Sequence, residues 1–330
     1  MALDVKITIN SSKPVGSVGF GCPLILEENA TAGKDYREIT SLENLVTAGY
    51  TVESKVYKTA QLIFMQEHIP QKIAVCSVTT AANDWLTVES NMSKGWRQLL
   101  VVNSGESDTD VATIMATVEA QKIYPKMYYA NLGFEDDTKL TVTSIERTVL
   151  CYYDATDLLP CPVAALAGQV AGLEVGSYTL NNMTVKGITG LDLSDADIQA
   201  IHAKGGITFV VSAGDVVASE GITAGGLFVD NIDGDDYIKQ QLEYKTQKVF
   251  NNNLKVPYTN VGIGMLESAA MEVMKDAQNK TIVDTYTVKY TLREDTAEAD
   301  RAARKYFGGN ISYVKAGAIH HIEINCDVSI

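Results

Sequence analysis

The sequence has no cysteine pair at CxxC spacing, no GxxxxGK[ST] loop, no GxSxG elbow and no run of about 18 apolar residues. These absences remove a zinc ribbon, a P-loop nucleotide site, a hydrolase-type nucleophile and a membrane-spanning helix from the expectations. Basic residues are scarce: 27 Lys and Arg stand against 41 Asp and Glu, a formal charge of −14. Nucleic-acid backbones and anionic membranes attract clustered Lys and Arg, so neither is an expected partner. The aromatic residues do not interleave with basic ones, which argues against a base-stacking platform. The five cysteines (Cys22, Cys76, Cys151, Cys161, Cys326) are odd in number and scattered, as in a reduced, intracellular protein. The first fourteen residues show no charged segment followed by an apolar one, so no signal peptide is expected.

What is present is an ordinary globular composition, 46% apolar and 21% charged, over 330 residues. That length suggests about two domains. Charge divides them. Residues 1–232 carry 15 basic and 27 acidic side chains (−12), and residues 233–330 carry 12 and 14 (−2). The step falls at the turn-rich Asn231–Gly234. Between Ser41 and Leu132, helical patterns (Leu42–Ala48, Ser54–Glu67, Thr80–Ser93, Asp108–Gln121) alternate with apolar strand patterns (Lys72–Val78, Leu99–Val102, Lys126–Leu132). Alternation at this length predicts βαβ units and a largely parallel sheet. Thr148–Tyr153 and Ile207–Val211 read as further strands, and Pro162–Leu173 as a small-residue helix. Ser194 opens the helix Ile198–Lys204. In the last third, Asp235–Asn251 and Asn260–Asn279 are the longest helical patterns. Thr285–Leu292 and Ile311–Lys315 read as strands, and Asp295–Phe307 as a helix with a capping-box-like start. There is no internal repeat or low-complexity tract.

Few motifs invite chemistry. Gly16, Gly19 and Gly21 make a glycine-rich stretch, but a strand-like Cys22–Leu26 follows where a dinucleotide fingerprint needs a helix. His320 and His321 are adjacent, so on a strand they point to opposite faces and chelate poorly. Cys161 between two prolines is the most unusual thiol, and it reads better as buried packing than as a nucleophile. Asp136–Asp137 and Asp235–Asp236 read as solvated charge or helix caps. No catalytic, cofactor-binding or metal-ligating residue is expected, and no cofactor.

The ends are unusual. Leu3, Val5, Ile7 and Ile9 alternate strictly with polar residues, and so do Ile322, Ile324, Cys326, Val328 and Ile330. Such strands either complete the chain's own sheet or are donated to an open edge of another subunit. The pattern alone leaves both open.

The C-terminal third resembles the contractile tail sheath proteins of myophages, R-type tailocins and related injection machines. The likeness rests on Asp230–Asp233, the long helix through Tyr237 and Phe250, the segment Asp295–Phe307 and the ending Gly317–Ile324. Pro160–Gly172, Leu193–Asp195 through Ile207, and Gly221–Thr223 follow in the family's order. Residues before about 150 agree only in general α/β character. The resemblance implies a homopolymer of stacked hexameric rings around a tail tube, contracting to drive the tube through a cell envelope. The partners it implies are other copies, the tube protein, and the baseplate and tail terminator proteins. The implied location is a virion tail or tailocin particle, assembled in the bacterial cytoplasm. The expected organisation is an arm and linker (1–14), an outer α/β domain (15–230) and an inner α+β domain (231–330) ending in a strand arm (319–330). Terminal strands would be exchanged between subunits. Arg301, Arg304 and Lys305, on the helix Asp295–Phe307, are the expected salt-sensitive contacts to an acidic tube, against the simpler reading of a solvated helix face. The competing readings are a cytosolic α/β enzyme or small-ligand binder using the central sheet, and another kind of self-assembling shell subunit.

Overall fold

The computed structural model describes residues 21–29, 31–102, 108–121, 125–133, 145–153 and 159–323. Seven strands form the central sheet: β1 (Leu24–Glu28), β2 (Lys34–Ile39), β3 (Ile73–Val78), β4 (Gln98–Val102), β5 (Met127–Leu132), β6 (Thr148–Tyr152) and β7 (Gly206–Ile207). Their order is β2-β3-β1-β4-β5-β6-β7. All neighbours pair in parallel except β2, which runs antiparallel along the edge of β3. The fold is thus mixed α/β with a mostly parallel central sheet, as the alternating pattern implies. β2 carries the sequence KDYREI, whose charges hide it from a search for apolar strands. Such charges suit an edge, where they discourage further pairing.

Alternation along each strand feeds two cores. Ile25, Val75, Leu100, Tyr129 and Val149 face one side, where α2 (Lys55–Phe64) and α6 (Ala164–Ala171) pack. Leu24, Leu26, Leu99, Tyr128 and Leu150 face the other, against α3 (Ala82–Leu86) and α5 (Asp108–Ala120). Parallel strands covered on both faces need apolar residues at nearly every position, and all five residues of β6 are buried. All eight residues of α6 are buried too, which explains its Ala/Gly composition. A Cβ on Gly168 would lie 2.8 Å from the Ile63 backbone of α2, so only glycine permits this approach. The single helix expected over Thr80–Ser93 is two short ones, α3 and α4 (Glu89–Met92), because Val88 adopts an extended conformation between them.

After α7 (Asp195–Ala203), started by a Ser194–Asp197 capping box, Gly205 turns the chain at φ 73° into β7. The strand expected over Ile207–Val211 is split. β7 joins the large sheet, while β8 (Phe209–Ser212) forms a separate ribbon with β9 (Asp215–Ala218), a strand absent from the sequence reading.

The last third is a module of its own composition. The helix expected from Asp235 begins six residues earlier, as α8 (Val229–Asn252). It packs on α9 (Asn260–Asn279), and β10 (Val283–Tyr290) pairs antiparallel with β11 (Gly309–Lys315). Ile238, Leu242, Ala270, Val273 and Met274 form the core of this module. Val229 and Ile232, in the first turn of α8, belong instead to the core under the large sheet. The helix therefore crosses the composition step at Asn231 rather than starting after it. Its Gly234 gives way to Ile282, whose Cγ2 would lie 2.7 Å from an added Cβ.

The helix expected over Asp295–Phe307 is largely absent. A 3₁₀ turn (Arg293–Asp295) and the five-residue α10 (Glu298–Ala302) replace it. Thr296 is extended and its hydroxyl donates to the Arg293 carbonyl instead of capping α10. Arg304, at φ 56°, lies beyond the end.

Candidate interaction surface

In open parallel sheets, ligands sit at the carboxyl ends of the strands where the winding reverses, here beside β1 and β4. The chain's own carboxylates occupy that place. Glu28 Oε1 accepts from the Ala82 N–H at 2.5 Å, taking up the N-terminus of α3, and Glu27 Oε2 accepts from the Ser77 hydroxyl at 2.6 Å. Two carboxylates there repel a phosphate. The thiols are equally unsuited to attack. Cys22 and Cys161 lie in the cores on opposite faces of the sheet. Burial pushes the Cys22 thiol up to about 11. Cys161 Sγ accepts from Asn131 Nδ2 at 3.1 Å, and the same amide's oxygen caps the Val163 N–H. His202 bonds Ser219 Oγ at 2.9 Å and its proton is disfavoured by burial. Among the described residues no group of three or more His, Cys, Asp or Glu is placed to hold a metal ion, and no helix is long and apolar enough to cross a membrane.

The opposite end of the sheet is where charge converges. Arg97, Lys126 and Arg147 each stand one residue before an adjacent parallel strand, β4, β5 and β6. Their partners come from the start of α8. The Arg97 guanidinium donates to Asp233, and its Nη1 forms an ion pair with Asp236 Oδ2 at 2.8 Å. Arg147 grips Asp236 in a bidentate pair at 2.5 and 2.9 Å. The Tyr178 hydroxyl donates to Asp233 Oδ2 at 2.6 Å. Arg97, Asp233 and Asp236 are all buried. Burial pushes the Asp236 carboxyl up, but Arg97 and Arg147 outweigh it and hold the group below the usual carboxylate range. Asp235–Asp236, expected as solvated charge, is therefore divided: Asp236 is buried in this cluster, and Asp235 faces outward to Lys315 and Tyr313. Lys126 has no carboxylate partner among the described residues. Its ammonium donates to the Lys94 and Trp96 carbonyls and lies 4.1 Å from the Trp96 ring centre. Burial, then the charge on Arg97, pulls its pKa down to about 7.

The C-terminal module presents the surface best suited to a partner. β10 and β11 form a two-stranded ribbon, so each has one unpaired edge among the described residues. Its inner face (Tyr286, Val288, Tyr290, Ile311, Tyr313) packs on the module's core, and its other face is exposed. Beyond it, residues 316–323 form no strand, against the expectation of a strand from Ile319, and Ile319 and Ile322 are 90% and 80% exposed. Leu3, Val5, Ile7, Ile9, Ile324, Val328 and Ile330 lie outside the described residues. Arg301, expected on the tube-facing helix, turns inward: its Nη1 donates to the Arg293 and Thr296 carbonyls. Arg304 and Lys305 are exposed beside Phe307, itself 69% exposed, but the spacings that would pair Asp300 with Arg304 and Arg301 with Lys305 on one helical face are not realised.

No protein-family model matches the chain, and no curated protein is similar to it in sequence. Solved structures are similar in fold. The helical sheath of the anti-feeding prophage in its contracted state superposes at a TM-score of 0.72 with 11% identity, over 99% of each chain. A chain of the contracted anti-feeding prophage baseplate gives 0.64 at 10% identity, over 99% of this chain and 97% of the other. The sheath tail protein of Desulfitobacterium hafniense gives 0.59 at 11% identity, over 94% and 100%. The chain thus has the contractile tail sheath fold over nearly its whole length.

Two predictions follow the charge cluster. Asp236→Asn removes the carboxylate that pairs with Arg147 and one of the two that face Arg97 in a buried site, and it should cost about 3–5 kcal/mol in chemical denaturation at neutral pH. A carboxyl held low stabilises the fold above its ordinary pKa and loses that effect as pH falls through the lower folded value, so the penalty should shrink in acid. Lys126 has the opposite sign. Between about 7 and its ordinary value the unfolded chain holds a proton that the folded chain does not, so stability from this group rises with pH. Lys126→Met should therefore compare more favourably with the wild type near about pH 6 than near about pH 9, and a pH-independent difference would refute the assignment.

Proposed function

We propose that the chain is a structural subunit of a contractile tail sheath, polymerising as stacked hexameric rings around a tail tube and contracting to drive the tube through a target envelope. The observation that carries this is the β10–β11 ribbon, unpaired on both outer edges among the described residues, in a chain that follows the sheath fold over nearly its whole length. The outer edges of a two-stranded ribbon carry backbone N–H and C=O groups with no ladder partner, and a further strand satisfies them. Strand arms from neighbouring copies supply that strand. Leu3–Asn10 with its Ser11–Pro14 tether reaches roughly 40 Å when extended, enough to cross to an adjacent subunit. At the other end Ile322, Ile324, Val328 and Ile330 bury one face in the receiving sheet, at about 1.5–3 kcal/mol per fully buried side chain. The acidic α/β body (15–230) faces outward, and the C-terminal module (231–330) lies toward the tube. Its partners are other copies, the tube, the baseplate and the tail terminator. It works in a virion tail or tailocin particle after assembly in the host cytoplasm, and it has no catalytic step.

The proposed tube contact is Arg304 and Lys305. Arg301 is engaged by its own turn, so Arg304 and Lys305, with Phe307 beside them, are the groups left to meet an acidic tube. Exposed pairs of this kind are worth about 0.2–1 kcal/mol each, which suits a contact that releases on contraction. The reading as an enzyme or ligand binder on the central sheet is weakened by Glu27 and Glu28 at the expected ligand position.

Removing Met1–Asn10 or Glu323–Ile330 should leave a folded subunit that cannot form long sheaths in electron micrographs. Normal tubes from either truncation would sink the donated-arm mechanism. Charge reversal at Arg304 and Lys305 together should weaken tube association at low salt by about tenfold and matter little at high salt. The same reversal at Arg301 should instead lower stability.

A further inference from the structure

The glycine-rich stretch Gly16–Gly21 leads to β1 past the rim of a cavity of about 620 Å³. The cavity opens where the two cores meet: of its lining, Leu173 packs on the core of the α/β body and Val175 on that of the C-terminal module. Residues 69–72, ahead of β3, and one face of α8 form the other walls. Gly21, the first described residue, lies on the rim. A Cβ there would run into the Ala171 carbonyl oxygen, so the backbone passes close against the end of α6. One residue on, the Cys22 carbonyl accepts from the Arg97 N–H at 2.8 Å, which fixes the chain from that point. We propose that Val18–Phe20 of the same chain fills this cavity, with Phe20 as its anchor, and seals the seam between body and module.

The chemistry of the walls selects a neutral chain. Two charged side chains line the cavity, and each has a partner: Lys72 Nζ donates to Glu38 Oε2 at 2.7 Å, and Glu174 pairs with Lys280. The remaining lining is uncharged. Ile69, Leu173 and Val175 offer apolar surface, and Ile69 is half-exposed. Gln71, Gln240 and Gln241 bring primary amides, each with a donor and an acceptor that match a peptide group. Such a lining suits an extended backbone carrying one or two apolar side chains. Val15–Gly21 has no charged residue, and its glycines let the backbone come close to the amides. Val18 and Phe20 are two apart, so an extended chain places them on one face. The tether decides between occupants. Val18 stands three residues from Gly21, at most about 10–11 Å of extended chain. A segment held so near has an effective concentration of about millimolar or more, which a free ligand or a neighbour's arm has to exceed. A sealed seam also fixes the point from which the N-terminal arm sets out; that use rests on the donated-arm reading above, and the seal itself does not.

Hydrogen–deuterium exchange of the full-length subunit, kept too dilute to form tubes, tests the seal through peptides that cover 16–21. Their amides should exchange about tenfold or more below intrinsic rates in the wild type. Phe20→Ser, which removes the anchor, and Gln241→Trp, which fills the cavity from α8, should each return them to intrinsic rates, with α9 peptides unchanged as the control for folding. Wild-type amides at intrinsic rates, or protection that survives both variants, would overturn the seal. Protection that appears only as subunit concentration rises would assign the cavity to a neighbouring copy and overturn it equally. Removing Met1–Asn10 should leave the protection of 16–21 as it is. The two readings therefore fail separately: a truncated chain that assembles normally removes the donated arm and leaves the seal, and unprotected amides at 16–21 do the reverse.

Discussion

The buried cluster of Arg97, Arg147, Asp233 and Asp236 is the constraint on which the arrangement of the molecule depends. It sits where three parallel strands begin and where the longest helix begins, so it fixes one against the other. Taking charges out of water is expensive, and a buried pair is weak evidence of stability in itself. Its effect is on geometry. A bidentate arginine and a second arginine on the same carboxylate tolerate little displacement, and Tyr178 closes the remaining valence of Asp233. The start of α8 is therefore set in register with the sheet, and everything α8 carries is set with it.

What α8 carries is the module that ends in the ribbon. The helix has its first turn in the core of the α/β body and its later turns in the core with α9. One continuous helix shared by two cores leaves no flexible linker between them. Asp235, next to the buried Asp236, turns outward to Lys315 and Tyr313 on β11, so adjacent residues tie the helix to the body and to the ribbon. Forces applied at the ribbon edges are passed to the whole subunit rather than absorbed by a joint.

The parallel sheet was legible because buried strands and amphipathic helices alternate at regular spacing, and α9 matches its expected limits because Thr259 caps it and the apolar stripe is unbroken. The elements that escaped are governed by contacts far away in sequence. β2 is a charged edge strand, and its pairing with β3 outweighs its poor apolar pattern. The segment Asp295–Phe307 has good helix formers, yet Thr296 bonds backward and Arg301 caps the resulting turn, so the helix shrinks. Of the surface residues singled out beforehand, Arg304 and Lys305 are exposed and Arg301 is not available. The buried cluster was missed because Arg97 and Asp236 stand 139 positions apart by their numbering. A signal did exist: a basic residue immediately precedes each of three successive apolar strands.

Under the proposed arm exchange, the ribbon edges that are unpaired among the described residues govern how copies add to one another. An edge strand is then a valence, and a subunit with two of them a divalent acceptor. In a polymer linked through these valences, interior subunits are saturated and inert toward newcomers. Reactive edges persist only at the ends, so growth is linear in character and side-to-side clumping has nothing to act on. The length of the assembly then becomes a property of whatever blocks an end, not of the subunit itself.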